Sequence, residues 1–393
     1  MSGSKNLNLT NQHSEAACFE LTPADQFLAG MSIRPGRGLL FVATQGLGDL
    51  VQTLPLLRAI CDLAETRLPI YLLLASPLQF ELLREEKLLL SQICVRDGLG
   101  ERRSRLKLWK KIVGKIDLIV SAPEISAVKL VSLKYVTGTR YAFGEASDLW
   151  SRFLTFSVQQ SWTTPWSRAL DEIALALGIT VPLPSPQIHL SQREIEWADA
   201  ALIEAGLSAS NLVVGVHCSS VAPEKKWPVE NFADLLRRMR KLFTGLHVIS
   251  FGSADELLDA RQARRYAVNV PWLEGAGKWN LRETMAMLSR CDLFVSGDTG
   301  LMHIAAALGV PTVSIFGPTS ASRRAPRHNR GVAICPQTSC HPCFRGKWNG
   351  CQCIRSISTE AVFHAAASLI RSKNEPREFD TSAHSASFEV ANH

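Results

Sequence analysis

The chain has few long apolar runs. None approaches the ~18 to 20 residues that a membrane-spanning helix needs, and the longest, Gly38 to Ala43 and Leu68 to Ala75, have the length of strands. Residues 1–36 are polar and contain no apolar stretch typical of a secretion signal. These absences predict a cytoplasmic protein.

Other absences exclude whole classes of function. Gly46 and Gly48 form part of a glycine turn, but Val51 stands where a dinucleotide fingerprint needs its third glycine, so a nicotinamide cofactor is not expected. The basic residues are not interleaved with stacking aromatic residues, apart from Trp109, and nucleic acid is therefore not an expected partner. The net charge of +7 suits an anionic glycolipid or membrane surface and equally a nucleic acid, so charge alone does not choose between these partners.

Short apolar runs alternate with helix-like segments in two successive series. This alternation predicts an α/β protein with parallel sheets covered by helices on both faces. A chain of 393 residues is long enough for two or three domains, and the change in composition near Pro182 to Ser191 indicates a boundary between two lobes. The predicted strands are Leu39–Ala43, Ile70–Leu74, Ile93–Val95, Ile116–Val120 and Arg140–Phe143, then Asn211–Cys218, His247–Phe251, Leu293–Val295 and Thr312–Phe316.

The segment from Cys291 to Ser320 reads as strand, tight turn, buried helix and second strand. The turn contains Asp298 and Thr299 and leads into a helix, where free backbone N–H groups and the helix dipole favour a phosphate. The simpler interpretation is that Asp298 or Thr299 only caps the helix. The same two interpretations, functional carboxylate or helix cap, apply to Asp49 in the glycine turn.

Taken whole, this segment resembles the signature of the ADP-heptose:lipopolysaccharide heptosyltransferase family, glycosyltransferase family 9. The family motif is [GV]DTG-x-x-H-x-x-A-A, followed by a strand that ends in [FY]GPT. A second family motif, G-x-G-D-x-[VL]-x-x-[TL]-P, is matched by the first turn, and K-x-W-P is matched at 225–228. The matching residues are Gly297, Asp298, Thr299, Gly300, His303, Ala306, Ala307, Phe316, Gly317, Pro318 and Thr319, with Gly46, Gly48, Asp49, Val51, Leu54 and Pro55.

The resemblance implies a GT-B fold, in which two Rossmann-like parallel-sheet lobes face a central cleft. Residues 1–36 are rich in Ser, Asn and Gln with little periodicity and are expected to form a disordered tail. The two lobes are expected to be an acceptor-binding lobe over 37–185 and a nucleotide-sugar-binding lobe over 186–355. A C-terminal helix over 356–372 is expected to return to the first lobe, before a disordered tail over 373–393.

The implied reaction is an inverting transfer of heptose from ADP-heptose to a lipopolysaccharide core (lipid A–core) acceptor, with no cofactor required. Asp49 would be the catalytic base, and Lys225 would stabilise the leaving diphosphate. An acidic residue after a strand commonly binds ribose, and here either Asp255 or Glu256 could do so. The expected donor-binding residues are Ser219, Ser220, Asp255, Glu256, Asp298, Thr299, Gly300 and His303, and the expected acceptor-binding residues are Gly48, Arg323 and Arg324.

Ten cysteines in a long chain without an export signal are expected to be reduced thiols. Four of them, in the segment 335–353, have ligand chemistry that suits a structural zinc or iron. The alternative is plain thiols or an adventitious disulfide. The four candidate ligands are Cys340, Cys343, Cys351 and Cys353.

The segment from Glu101 to Lys115 reads as a basic amphipathic helix that contains Trp109. Such a helix can lie in an anionic membrane interface, or it can pack on a core with a solvated basic face. The expected partners are ADP-heptose, a phosphorylated glycolipid and the inner-membrane surface. The alternative functions are O-heptosyl transfer to an autotransporter protein and nucleotide-sugar binding without catalysis.

Overall fold

A computed structural model describes most of the chain. The described residues are 28–64, 68–95, 112–146, 149–159, 161, 163–326, 328, 330–338, 341–343 and 350–372. They form two α/β lobes, each built on a six-stranded sheet whose paired strands are parallel. None of the described helices combines the length and the apolar character needed to cross a membrane.

The first lobe contains a sheet in the order β3-β2-β1-β4-β5-β6. Its central strands are buried on both faces, with Leu39, Leu40 and Phe41 all fully buried, which is why they read as continuous apolar runs. The strands are β1 Gly38–Ala43, β2 Ile70–Leu74, β3 Gln92–Val95, β4 Ile116–Ser121, β5 Tyr141–Glu145 and β6 Phe156–Val158; the helices are α1 Leu47–Ala64, α2 Pro77–Leu82, α3 Ala127–Thr137 and α4 Trp166–Ala176.

The second lobe repeats the arrangement with a sheet in the order β12-β11-β10-β7-β8-β9. Its strands are β7 Leu212–His217, β8 Leu246–Ser250, β9 Trp272–Glu274, β10 Leu293–Gly297, β11 Thr312–Ile315 and β12 Gly331–Ile334. Its helices are α5 Gln192–Glu204, α6 Val229–Leu242, α7 Leu257–Tyr266, α8 Leu281–Leu288, α9 Gly300–Ala307, α10 Ala321–Arg324 and α11 Thr359–Ser372.

Each sheet reverses its strand order once, between β1 and β4 in the first lobe and between β7 and β10 in the second. Ligands of open parallel sheets bind outside the carboxyl ends of the strands at this reversal. The glycine turn that precedes Asp49 follows β1 directly, and the turn that contains Asp298 follows β10 directly. Both sequence motifs therefore lie at a topological switch point.

The lobes are in contact through helices α1 and α9, which pack against each other near their N-termini. This contact brings the two motif turns to one shared cleft.

Two expectations about the chain ends need correction. Residues 28–36, expected to belong to a disordered tail, pack on the first lobe: Leu28 is buried, its amide donates to the Leu177 carbonyl at 2.9 Å, and Arg34 Nε donates to the buried Asp117 at 2.9 Å. The last helix, α11, packs on α6 and on strands β10, β11 and β12 of the second sheet, in place of the expected return to the first lobe. The predicted tails over 1–27 and 373–393 lie outside the described residues, as does the predicted basic helix as far as Lys111.

Candidate active site

Asp49 lies in the first turn of α1, directly after the glycine turn. Its Oδ2 accepts the Gly46 N–H at 3.0 Å, so the helix-cap interpretation holds for one carboxylate oxygen. Its Oδ1 lies 3.2 Å from Arg324 Nη1 of the second lobe. Burial raises the pKa of Asp49, and Arg324 and the Gly46 N–H oppose that rise. A partly buried carboxylate of this kind can act as a general base.

Asp298 and Lys225 form an ion pair at the carboxyl edge of the second sheet. Lys225 Nζ lies 2.7 Å from Asp298 Oδ2, and the two side chains are 17% and 5% exposed. Burial alone would raise the pKa of Asp298, but Lys225 and Arg324 hold it below its usual value. The neighbouring Lys226 binds Asp259 at 2.6 Å instead. The structure thus separates the roles of the two adjacent lysines.

Thr299 occupies the N-cap position of α9, but its side chain does not cap the helix. The Thr299 hydroxyl oxygen is buried and has no hydrogen-bond partner among the described residues. Gly300 is the first residue of α9, where backbone N–H groups lack partners within the helix. The simple capping interpretation is therefore wrong for the Thr299 side chain, whose hydroxyl the helix does not use.

His303 is buried on α9 and faces the first lobe. A Cβ placed on Gly48 would lie 2.5 Å from His303 Cδ2, so only glycine allows α1 and α9 to approach this closely. Burial lowers the pKa of His303 to about 4, which keeps the imidazole neutral near pH 7. Gly48, predicted to bind the acceptor, is itself buried in this contact. Its role in the structure is helix packing.

The end of β7 provides two hydroxyl groups. Ser219 is buried and donates to Asp259 Oδ2 at 2.6 Å, while Ser220 is half-buried. Near the end of β8, Glu256 accepts the Ser253 N–H at 2.8 Å and lies 3.1 Å from His217 Nε2.

Burial would raise the pKa of Glu256, but its bonds with His217 and Ser253 outweigh burial and lower it to about 2. Both Glu256 oxygens are engaged within the lobe. Asp255, which is exposed, is the carboxylate left facing solvent.

Arg323 and Arg324 extend from α10 into the first lobe. Arg323 is only 2% exposed; its Nη2 contacts both Glu145 oxygens at 2.9 Å, and its Nε donates to Glu124 at 2.9 Å. Arg324 binds Asp49 and Glu124. The predicted acceptor role of Arg323 is wrong for this arrangement, because protein groups surround the guanidinium.

Sequence reasoning missed Glu124 and Glu145. Both follow predicted strands of the first sheet, Glu124 just after β4 and Glu145 at the end of β5. Acidic residues at the carboxyl ends of parallel strands were the available signal.

The cysteine-rich segment lies against the Gly317–Pro318 turn. The Cys343 amide donates to the Pro318 carbonyl at 2.9 Å, and the Cys351 and Cys353 sulfurs are 3.4 Å apart. Cys340 lies outside the described residues. Within the described part of the chain, no group of three or more His, Cys, Asp or Glu residues is arranged to hold a metal. The four-cysteine site stays a prediction.

Two doubly wound parallel sheets that meet at their switch points define the GT-B architecture. The family model described as glycosyltransferase family 9 (heptosyltransferase) matches residues 105–351, more than half of the chain. The protein therefore belongs to glycosyltransferase family 9.

The relatives agree with this assignment. Lipopolysaccharide heptosyltransferase 2 of Salmonella typhimurium is 29% identical over 180 residues, which cover 44% of this chain and 49% of that protein. The chain thus spans about half the length of the curated relatives it matches.

Two solved structures share the fold. The family 9 glycosyl transferase from Veillonella parvula has a TM-score of 0.73 at 21% identity, covering 87% of this chain and 99% of that one. The E. coli ADP-heptose lps heptosyltransferase II has a TM-score of 0.65 at 20% identity, covering 86% and 100%. The GT-B fold expected from the sequence is confirmed.

Proposed function

We propose that this protein transfers heptose from ADP-heptose to a hydroxyl group of a lipopolysaccharide core acceptor, with inversion at the anomeric carbon. Membership of family 9 supports the reaction class. The names of the Salmonella and E. coli relatives support the donor and the acceptor.

One observation carries the proposal. A partly buried carboxylate of the first lobe, Asp49, lies at the same cleft as the Lys225–Asp298 pair of the second lobe. Sugar transfer needs a base beside the acceptor hydroxyl and positive charge beside the departing diphosphate. The two lobes supply one of these each.

In the proposed step, Asp49 removes the proton of the acceptor hydroxyl. The acceptor oxygen then forms a bond to the anomeric carbon while the bond from that carbon to the diphosphate breaks. The electron pair leaves with ADP, and the Lys225 ammonium and the N–H groups at the start of α9 stabilise the new charge. A single displacement inverts the configuration and needs no covalent intermediate.

The other donor contacts follow from positions at the second switch point. Thr299, Gly300, Ser219 and Ser220 are proposed to contact the diphosphate, and Asp298 to bind sugar hydroxyls. For the ribose, Asp255 is the better candidate than Glu256, because the Glu256 oxygens already bind within the lobe. His303 is proposed to support the turn from behind, since its buried imidazole is neutral.

A lipid-anchored acceptor would bring the protein to the cytoplasmic side of the inner membrane, and that setting is part of the proposal. The net charge of +7 suits such a surface.

The test is a panel of nucleotide sugars assayed for binding and for transfer to heptose-free lipid A–core glycolipid, with Asp49→Ala in parallel. We expect ADP-heptose to be preferred, the product to have inverted configuration by NMR, and Asp49→Ala to bind the donor without turnover.

Each contrary outcome identifies a different failure. Preference for another nucleotide sugar overturns the assignment of heptose as the donor sugar, but glycosyl transfer as the reaction class still stands. Transfer to an autotransporter protein in place of the glycolipid overturns the acceptor. Binding of ADP-heptose without any turnover points to a non-catalytic binding protein.

A further inference from the structure

Arg324 joins the two lobes directly at Asp49. Its Nη1 lies 3.2 Å from Asp49 Oδ1, and its Nη2 donates to Glu124 Oε2. The three side chains are 18–23% exposed. The second lobe thus places a cation on the carboxylate that the first lobe provides.

The guanidinium of Arg324 is held from several sides. It lies over the Trp166 ring, 5.5 Å from the centroid, and shares Glu124 with the buried Arg323. Arg323 is fixed in turn by Glu145. Side chains locked in this way hold a partner in one geometry.

Glu124 has an unusual backbone conformation, with a φ of 61°. This left-handed region is unfavourable for a residue other than glycine, and it persists where surrounding contacts impose it. Here the Glu124 amide donates to Glu145 Oε2 at 2.8 Å, and both Glu124 carboxylate oxygens bind arginine. The strained residue is fixed beside Arg324.

Several charged groups act on Asp49. Glu124 of the first lobe and Asp298 of the second are anions that disfavour a further negative charge, and burial acts in the same direction. Lys225 pairs with Asp298, and His303 is neutral. Among the groups that act on Asp49, Arg324 is the cation in direct contact with it, and the Gly46 N–H holds the other oxygen.

We propose that Arg324 is a positioning residue for Asp49, which keeps that carboxylate ionised and oriented only while the two lobes are in contact. The inference rests on the proposed function, because it assumes that Asp49 is the base. With this contact, the strength of the base Asp49 in the first lobe depends on Arg324 of the second lobe.

The experiment is the pH dependence of kcat/KM for transfer from ADP-heptose to heptose-free lipid A–core glycolipid, using the full chain. The variants are R324Q, R324K and E124Q. The matched control is R237Q, an arginine on α6 that pairs with Asp234 at the surface. Circular dichroism and binding of ADP-heptose establish that each variant is folded.

We expect the kcat/KM of R324Q to be roughly tenfold below wild type at the acid end of the pH profile and to recover toward wild type at high pH. The reason is that loss of the cation favours the protonated form of the Asp49 carboxyl. R324K keeps the positive charge, so the acid limb of its pH profile should stay near the wild-type position. E124Q removes a neighbouring anion and should move the limb to lower pH. R237Q should leave the profile unchanged.

The inference is overturned if R324Q slows transfer equally at every pH, because a purely structural role would do that. It is also overturned if R324Q and E124Q move the acid limb in the same direction. Should R324Q fail to fold, an E124Q profile that matches wild type overturns the inference by itself.

Asp49→Asn separates this inference from the proposed function. If it transfers heptose at the wild-type rate, the base assignment itself fails. If Asp49→Asn binds ADP-heptose without turnover, while the acid limb of the R324Q profile stays at its wild-type position, only the role of Arg324 fails.

Discussion

The two lobes have the same strand order, and each has a carboxylate at its switch point, Asp49 after the first strand of one lobe and Asp298 after the fourth strand of the other. The two carboxylates find their ion-pair partners differently. In the second lobe, Asp298 pairs with Lys225 of the same lobe. In the first lobe, Asp49 pairs with Arg324, which belongs to the other lobe.

Under the proposed function, this difference means that the proposed donor half of the site is preassembled, whereas the proposed base half is completed only by contact between the lobes. An ion pair within one lobe survives a movement of the lobes relative to each other, whereas a pair across the cleft does not. Bringing donor and acceptor together would thus also complete the base.

The largest effect is expected from Asp49→Asn. Loss of a general base typically costs 10²–10⁴-fold in rate, so we expect kcat to fall by about 10³-fold. The dissociation constant for ADP-heptose, measured by calorimetry, should stay near wild type because the proposed donor contacts belong to the second lobe. A weakened donor affinity would contradict the division between the lobes.

Lys225→Gln tests the preassembled half. We expect kcat to fall by about 10²-fold, as for loss of one charge-stabilising donor, together with weaker binding of ADP. Lys226→Gln is the control, since Lys226 binds Asp259 and not Asp298. Equal effects of the two substitutions on ADP binding would show that the ion pair with Asp298 has no special role.

Glu145→Gln tests how strongly the lobes are held together. Glu145 and Arg323 are 1% and 2% exposed, and removing one partner of a buried pair costs about 3–5 kcal/mol. Urea unfolding followed by fluorescence measures the change. Asp234→Asn breaks an exposed pair with Arg237 and Arg238 and should cost less than about 1 kcal/mol. Similar losses for both variants would argue against a buried interlobe pair.

Gly48→Ala is expected to push α1 away from α9, because the added methyl would meet His303 at 2.5 Å. We expect kcat to fall by roughly tenfold, since small misplacement of catalytic groups is costly, with little change in ADP affinity. Gly245→Ala, where the nearest atom would be 3.7 Å away, is the control. Wild-type kcat in Gly48→Ala would mean that this contact does not position the base.

The smallest effect concerns acid stability. Glu194 pairs with Arg282, whose guanidinium also binds the Leu82 and His189 carbonyls. Burial would raise the pKa of Glu194, but bonds with Arg282 and Ser191 lower it from 4.5 to about 2. Its stabilisation is therefore present above about pH 4.5 and is lost as the pH falls toward 2.

Glu194→Gln should consequently flatten the decline of the melting temperature over that pH range. A decline as steep as that of wild type would show that Glu194 is not responsible.

The central strands were predictable because strands buried on both faces read as apolar runs. The strands β6, β9 and β12 were not predictable, since each has only three or four residues and at least two of these are partly exposed. The packing of α11 on the second lobe was predicted wrongly, because helical periodicity identifies an apolar face but not the surface on which that face packs.

Local sequence determined the two motif turns, their glycines and the helices that follow, because turn chemistry and hydrophobic spacing act over a few residues. The choice of ion-pair partners was decided only by the tertiary structure. Arg324 and Asp49 are 275 residues apart along the chain, and a charge pair forms only at contact distance. Folding of both lobes and their packing through α1 and α9 bring those charges together.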